Sequence, residues 1–213
     1  MSDSSPPVAQ RRFVVIGQQA TASHHFSLLD LPSSSGRLDV LLRCVRAALM
    51  YSHGLRADTT LYLVLQGGRG APRIVRVSGA TGRFLRPDER SLALLVQRVL
   101  AVEGDSGEAR EAGEAGFVER RAGIAVCSEG LAWLVGELGA GAHYVLEEGA
   151  PDLRGVAIEG PAPVFYLGDH RGFSEATRAV LAEVGARPVS VGPLSLHTED
   201  ALAIVVNELD RRA

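Results

Sequence analysis

The sequence Phe165-Tyr-Leu-Gly-Asp-His-Arg-Gly-Phe173 predicts a buried strand that ends in a Gly-Asp turn. A second stretch, Ser190-Val-Gly-Pro-Leu-Ser-Leu-His-Thr-Glu-Asp200, predicts a short strand that breaks into a loop over 192–196 before the last helix. In an open α/β sheet, loops that leave the carboxyl ends of neighbouring strands are the usual site for a small ligand. We therefore expect a ligand site at these two loops.

Neither loop has the pattern of a phosphate cradle. The sequence has no GxGxxG after the first predicted strand, and it has no GxxxxGK followed by Ser or Thr. A nucleoside triphosphate or a dinucleotide is therefore a poor candidate ligand. The loops instead offer backbone N–H and C=O groups beside apolar side chains, which suit an adenine ring in a flat apolar pocket.

The composition favours a mostly parallel sheet covered by helices. Of the 213 residues, 46% are hydrophobic and only 5% are aromatic, so Val, Leu, Ala and Ile must fill the core. Strand and helix signals alternate along the chain, which is typical of this α/β class. We expect a disordered tail over 1–11, a single domain over 12–213 and a mobile acidic loop over 103–116, where Gly, Glu and Ala predominate.

The sequence disfavours membrane, secreted and metal-binding classes. Its longest apolar run is far shorter than the roughly 20 residues of a membrane span, and its first residues lack the basic start and apolar centre of a signal peptide. Cys44 and Cys127 are far apart, which predicts neither a disulfide framework nor a zinc site. We expect a cytoplasmic protein with no bound metal and no membrane contact.

The charge pattern leaves nucleic acid open as a partner. A net charge of −3 argues against it. However, all 22 basic side chains are Arg, and many of them cluster between residues 37 and 90. Guanidinium groups bind phosphate bidentately and stack on bases. A GC-rich coding sequence also produces an Arg-only composition, so the clusters alone do not decide the question.

Several further motifs occur along the chain in a fixed order: Phe26-Ser-Leu-Leu-Asp-Leu-Pro-Ser-Ser-Ser-Gly-Arg-Leu-Asp39, Arg43-Cys-Val-Arg-Ala-Ala-Leu-Met-Tyr-Ser-His-Gly-Leu-Arg56, Leu61-Tyr-Leu-Val-Leu65, Leu85-Arg-Pro-Asp-Glu-Arg-Ser91 and Asn207-Glu-Leu-Asp-Arg-Arg212. Together with the two C-terminal loops, they resemble the SPOUT methyltransferases, and among these the tRNA pseudouridine-54 N1-methyltransferase family. The resemblance covers nearly the whole chain, except about the first ten residues and the segment near 104–116.

This resemblance implies a SPOUT-type α/β fold, in which helices flank a mostly parallel sheet and the C-terminal part forms a deep trefoil knot. It implies S-adenosyl-L-methionine as cofactor, S-adenosyl-L-homocysteine as product, a homodimer, and an RNA substrate, tRNA containing pseudouridine. Apolar residues on more than one face of the last helix support dimerisation (Leu202, Ile204, Val205 and Val206). The residues that it implies for cofactor binding are Leu146, Leu167, Gly168, Val191, Gly192, Pro193, Leu194, Ser195, Leu196 and Ala201. At Ala201 the archaeal members commonly carry Cys, a departure that leaves a slightly roomier adenosine pocket.

For the substrate, the resemblance implies phosphate contacts from four arginines (Arg37, Arg43, Arg86 and Arg90) and a carboxylate base. Asp39 and Asp88 are the candidate bases, and the sequence does not rank them. Structural interpretations stay open: Asp39 and Arg43 are four residues apart and form a plausible surface ion pair, whereas Asp88 has the position of a helix-start charge. Gly168-Asp169 is equally consistent with a tight turn, and Gly192-Pro193 with a simple break between strand and helix.

Two alternative functions stay open. The first keeps the cofactor but changes the substrate to another RNA position or to a free nucleoside-like molecule, which the acidic net charge favours. The second is an RNA-binding module without catalysis. The N1 chemistry also implies that a pseudouridine synthase acts first, because in uridine that nitrogen is glycosidic and carries no proton.

Overall fold

The computed structural model describes residues 10–83, 85–102 and 116–212. The tail predicted over 1–11 lies outside these ranges except for Gln10 and Arg11, and the acidic loop predicted over 103–116 lies outside them except for Gly116. The strands are β1 (Arg11–Thr21), β2 (Met50–Tyr51), β3 (Gly54–Leu55), β4 (Thr59–Gly67), β5 (Arg73–Ser78), β6 (Val118–Arg121), β7 (Ile124–Cys127), β8 (His143–Leu146), β9 (Val164–Gly168) and β10 (Arg187–Val189). The helices are α1 (Leu31–Ser34), α2 (Leu38–Leu49), α3 (Glu89–Ala101), α4 (Leu131–Leu138), α5 (Glu175–Glu183) and α6 (Thr198–Arg212), and a short 3₁₀ turn spans Leu153–Gly155.

Eight of these strands form a mixed sheet in the order β10-β8-β9-β1-β4-β5-β7-β6. The five strands from β10 to β4 are parallel, whereas β5, β7 and β6 pair antiparallel at one edge. β2 and β3 form a separate small ribbon. The α/β class with a mostly parallel sheet is therefore confirmed, while the trefoil knot stays a prediction.

β1 lies in the middle of the sheet and is buried on both faces. Phe13 and Val15 point to the face that packs against α2, α3 and α6, whereas Val14 and Ile16 point to the face covered by α4 and α5. Alternate residues of a strand face opposite sides of the sheet, so both sets must be apolar. This requirement explains the continuous apolar run at the start of the domain.

The C-terminal end of α6 is bound to the start of the sheet by ion pairs. Asp210 pairs with Arg11 of β1 and with Arg56. The distance from Nη2 of Arg56 to Oδ2 of Asp210 is 2.7 Å. Arg11 also pairs with Asp58, Nε to Oδ2, at 2.9 Å. Neither α6 nor any other helix in the described ranges is long and apolar enough to cross a membrane.

A tight turn joins α1 to α2 and rests on the end of β1. Gly36 and Arg37 both have left-handed backbone conformations, with φ of 63° and 67°. A Cβ atom at Gly36 would lie 1.8 Å from the carbonyl oxygen of Gln19. The backbone N–H of Thr21 donates to the carbonyl of Ser35 at 2.9 Å, so the turn and the strand end are locked together.

Replacing Gly36 by Ala is expected to lower the free energy of unfolding by at least about 2 kcal/mol, because left-handed backbone at such a position costs about 1–3 kcal/mol before the contact with Gln19 is relieved. Gly136→Ala is the matched control. Gly136 lies in α4 with open space around it, so the change should stabilise the chain by about 0.5–1 kcal/mol. Urea unfolding of both variants measures the two effects, and a neutral Gly36→Ala would contradict this account of the turn.

Candidate functional site

A cavity of about 830 Å³ lies at the carboxyl ends of β8, β9 and β10. Its volume falls within the range of pockets that bind small molecules. The loops after these three strands form most of its wall, and the starts of α2 and α6 complete it. Nine of the ten residues predicted to bind the cofactor line it, Pro193 being the exception: Leu146, Leu167, Gly168, Val191, Gly192, Leu194, Ser195, Leu196 and Ala201.

The loop after β9 is held by the buried side chain of Asp169. Its Oδ2 accepts a hydrogen bond from the backbone N–H of Gln18 at 2.8 Å, and its Oδ1 accepts one from that of Arg171 at 2.9 Å. The loop returns so closely that a Cβ at Gly168 would lie 2.7 Å from the backbone of Gly172. Gly168 and Asp169 therefore do form a tight turn, and this turn also makes part of the cavity wall.

The loop after β10 is joined to the segment after β8. The Ser190 hydroxyl donates to the carbonyl of Ala150 at 2.8 Å, and the Ser195 hydroxyl donates to Oε1 of Glu148 at 2.5 Å. Gly192 has a φ of 151°, and a Cβ there would have no heavy atom within 4 Å. The backbone at Gly192 thus borders open space in the cavity, and a side chain at this position would occupy it.

The start of α6 connects these loops to the helical layer. The Thr198 hydroxyl donates to the carbonyl of Gly168 at 2.8 Å. The next residue, Glu199, accepts a hydrogen bond on Oε1 from Nε of Arg43 in α2 at 2.6 Å. Both side chains belong to residues that line the cavity, so the first turn of α6 fixes one wall.

Five charged residues beside the cavity form what we call the Arg43 cluster: Arg37, Asp39, Arg43, Glu89 and Glu199. The Arg43 Nη1 group donates to Oδ2 of Asp39 at 3.0 Å and to Oε2 of Glu89 at 3.2 Å, in addition to its bond with Glu199. Arg37 Nε donates to Oδ1 of Asp39 at 3.0 Å. The cluster therefore binds α2 to the starts of α3 and α6.

The cluster differs from the sequence-based expectation in two ways. Arg37 and Asp39 would not share a face if both were helical, but Arg37 precedes α2 in a left-handed conformation and folds back onto Asp39. The ion pair considered for Asp39 and Arg43 does form, at 3.0 Å, but it is not a surface pair, because the Asp39 side chain is only 3% exposed. Arg43 is shared among three carboxylates, which compensate its charge and limit its capacity to bind a phosphate.

The surroundings of Asp39 make its carboxylate a weak proton acceptor. Burial alone would raise its pKa, but the hydrogen bonds from Arg37 and Arg43 outweigh burial and lower the pKa below its ordinary value. Asp39 is not among the residues that line the cavity. Its observed role is to hold the two guanidinium groups.

Asp88 has the position of a helix cap. It precedes α3, and its Oδ1 accepts a hydrogen bond from the backbone N–H of Ser91 at 2.8 Å. Hydrogen bonding with the side chain of Ser91, and then with its backbone, lowers the pKa of Asp88. Its side chain is exposed and does not line the cavity. Arg86 and Arg90 are exposed on either side of Asp88 and Glu89, so they flank the Arg43 cluster rather than the cavity.

Sequence reasoning missed several of the charged residues that line the cavity, chiefly Glu148, Arg178 and Glu199. Glu199 had one available signal, its place in the first turn of the helix that follows the predicted loop. Glu148 and Arg178 had none, because their roles depend on contacts with distant residues. Among the described residues, no group of three or more His, Cys, Asp or Glu side chains is arranged to hold a metal ion.

The fold and the cavity define an α/β protein with a cavity of small-molecule size at the carboxyl edge of its sheet. The same fold occurs in the crystal structure of Archaeoglobus fulgidus Nep1 bound to S-adenosylhomocysteine, with a TM-score of 0.61, 14% identity, and coverage of 95% of this chain and 98% of that one. The chain belongs to the family of SAM-dependent RNA methyltransferases, whose family model matches residues 10–213.

Curated relatives of this chain are archaeal enzymes. A tRNA (pseudouridine(54)-N(1))-methyltransferase of Methanosarcina acetivorans is 39% identical over 201 residues, which cover 94% of this chain and 91% of the relative. An enzyme of the same name from Halobacterium salinarum is 37% identical over 201 residues, which cover 94% of this chain and 96% of the relative. The similarity thus extends over nearly the full length of both proteins.

Asp39→Asn is expected to lower the free energy of unfolding at pH 7 by about 3 kcal/mol, because it removes the anion from two partly buried guanidinium groups. The pKa of Asp39 is lowered in the folded chain, so its contribution is complete above the pKa of an ordinary carboxyl, near pH 4, and is lost as the pH falls through the lower folded value. The difference in the free energy of unfolding between wild type and Asp39→Asn should therefore become smaller below about pH 4. Asp88→Asn is the control, since Asn also caps helices and the exposed Asp88 should contribute less than Asp39 at pH 7. Urea unfolding at pH 7 and pH 3 measures all three chains. A loss of stability in Asp39→Asn that is the same at both pH values would contradict this assignment.

Proposed function

We propose that this chain methylates N1 of pseudouridine in RNA with S-adenosylmethionine as methyl donor, and that its substrate is tRNA with pseudouridine at position 54. The observation that carries the proposal is the cavity formed by three strand-end loops, at the residues that the family resemblance implies for cofactor binding. The names of the curated relatives support the substrate and the position.

The lining of the cavity suits this cofactor. Leu146, Leu167 and Leu196 offer apolar surface for a flat ring, and the open space beside Gly192 admits a ligand close to the backbone. Carboxylates outnumber guanidinium groups among the lining residues, which suits a cationic ligand. When bound there, S-adenosylmethionine would supply an electrophilic methyl group on a positively charged sulfur.

The chain must align the base, exclude water and accept the N1 proton. A carboxylate within about 3 Å of N1–H would accept that proton. Asp39 and Asp88 stay the predicted bases, but their surroundings favour structural roles, as an anion between two guanidinium groups and as a helix cap. Asn substitutions in a methyl-transfer assay separate the two candidates.

RNA would contact the exposed guanidinium groups near the start of α3. Arg86 and Arg90 are exposed, and Arg37 is 40% exposed, so each can reach a phosphate. Arg43 would act differently, because its bonds to three carboxylates fix it in place. We propose that it holds the starts of α3 and α6 so that the neighbouring arginines face the substrate.

We also infer a cytoplasmic homodimer. Leu194 and Leu196 are 73% and 42% exposed in the loop after β10, and Ile204 is 40% exposed on α6. Apolar side chains with this exposure support a contact with a second copy of the chain. Leu202, Val205 and Val206 contribute nothing to this argument, because they pack in the core of their own subunit.

The decisive experiment measures methyl transfer from labelled S-adenosylmethionine to two tRNA transcripts that differ only at position 54. The transcript with pseudouridine should be methylated, and the transcript with uridine should not, because uridine has no N1–H. Methylation of neither, with cofactor binding intact, would contradict the tRNA assignment and direct the search to rRNA fragments and free nucleosides. Failure to bind the cofactor would favour an RNA-binding module without catalysis.

Ala201→Leu is expected to weaken S-adenosylmethionine binding by at least about tenfold, because the larger side chain fills space at the cavity wall. The melting temperature should change by no more than a few degrees, since Leu is a good helix former. Ala179→Leu is the matched control, at an exposed position of α5 away from the cavity, and it should leave affinity unchanged. Calorimetric titration measures the affinity of each variant for S-adenosylmethionine. Equal affinities of the two variants would contradict the placement of the cofactor beside Ala201.

A further inference from the structure

The charges that line the cavity are unbalanced. Five acidic residues line it (Glu147, Glu148, Asp169, Glu199 and Asp200), together with three arginines (Arg37, Arg43 and Arg178). Each guanidinium group is already bonded to a carboxylate: Arg37 and Arg43 to Asp39, and Arg178 to Glu147. Among the Asp, Glu and Arg residues that line the cavity, negative charges therefore outnumber positive ones.

Four of the five carboxylates are neutralised, hydrogen-bonded or open to solvent. Glu147 pairs with Arg178, and Asp169 accepts two backbone N–H groups. Glu148 and Asp200 are exposed, so water screens their charges. These four therefore exert little net field on a ligand inside the cavity.

Glu199 is different, because its side chain is only 16% exposed and only one of its two carboxylate oxygens has a hydrogen-bond partner. Oε1 accepts the hydrogen bond from Arg43, whereas Oε2 is buried with no hydrogen-bond partner among the described residues. Arg43 is shared with Asp39 and Glu89, so it compensates the charge of Glu199 only in part. A buried carboxylate oxygen without a hydrogen-bond partner is costly and demands a physical explanation.

We propose that Glu199 determines the preference of the cavity for S-adenosylmethionine over S-adenosylhomocysteine by acting on the sulfonium charge. This inference rests on the cofactor assigned under the proposed function. The two molecules share the same ammonium and carboxylate groups and differ in the methyl group and the positive charge on sulfur. A poorly screened carboxylate beside the cavity favours the charged form through space, without a direct hydrogen bond.

The same charge would assist turnover. Methyl transfer converts the sulfonium into a neutral thioether, so the attraction to Glu199 disappears when the product forms. Arg43 would then be a positioning residue that holds the Glu199 carboxylate at the wall. The charge of Glu199 would thus serve cofactor binding and product release, in addition to any contribution to the stability of the fold.

The test compares the affinities of both ligands for wild type and for Glu199→Gln by calorimetric titration. The amide oxygen can still accept the hydrogen bond from Arg43, so the variant keeps the contact and loses only the charge. We expect binding of S-adenosylmethionine to weaken by about tenfold, with S-adenosylhomocysteine changed by less than about twofold. Glu208→Gln is the matched control, because Glu208 also pairs with an arginine on α6 but lies away from the cavity, and both affinities should stay as in wild type.

Equal weakening of both ligands would overturn the inference, since it would place Glu199 near a group that they share. No change in either affinity would also overturn it, while leaving the proposed function intact. Absence of any cofactor binding by wild type would overturn both. If Glu199→Gln does not fold, the wild-type ratio decides: tighter binding of S-adenosylmethionine supports the inference, and tighter binding of S-adenosylhomocysteine contradicts it.

Discussion

The guanidinium group of Arg43 is bonded to carboxylates from three helices, and the most distant of them, Glu199, lies 156 residues further along the chain. Charges that are partly withdrawn from water are stable only when their partners are correctly placed. The cluster therefore forms only if α2, α3 and α6 already lie side by side, and in return it fixes where α3 and α6 begin. Because the first turn of α6 is one wall of the cavity, the shape of the site depends on this interaction.

Both ends of α6 are fixed, and this links the site to the centre of the sheet. At its start, Thr198 bonds to the carbonyl of Gly168 at the end of β9; at its other end, Asp210 pairs with Arg11 at the start of β1. β1 and β9 are neighbours in the sheet. α6 therefore runs along the sheet from the carboxyl end of β9 to the amino end of β1. The cavity wall that α6 forms is thus attached to the two buried central strands and does not depend on surface loops alone.

The sequence contained enough information for the class of fold and the location of the cavity. Parallel strands buried on both faces need continuous apolar runs, and loops after their carboxyl ends are visible as Gly-rich breaks, so Gly168 and Gly192 were accessible to pattern reasoning. The Arg43 cluster was not. The left-handed backbone of Arg37, the burial of Asp39 and the role of Glu199 all follow from the approach of helices distant in sequence, and no local pattern encodes that approach.

The double anchorage of α6 also divides the cavity wall into parts with different freedom to move. The side made by α6 and the turn at Asp169 is held by hydrogen bonds and ion pairs, whereas Leu194 and Leu196 in the loop after β10 are exposed in the single subunit. Any adjustment that lets a molecule enter or leave falls on that loop, because it breaks the fewest interactions there. We therefore expect the residence time of a bound molecule to depend on the few bonds of one short segment, such as that between Ser195 and Glu148, and to be separable from the affinity that the rigid wall provides.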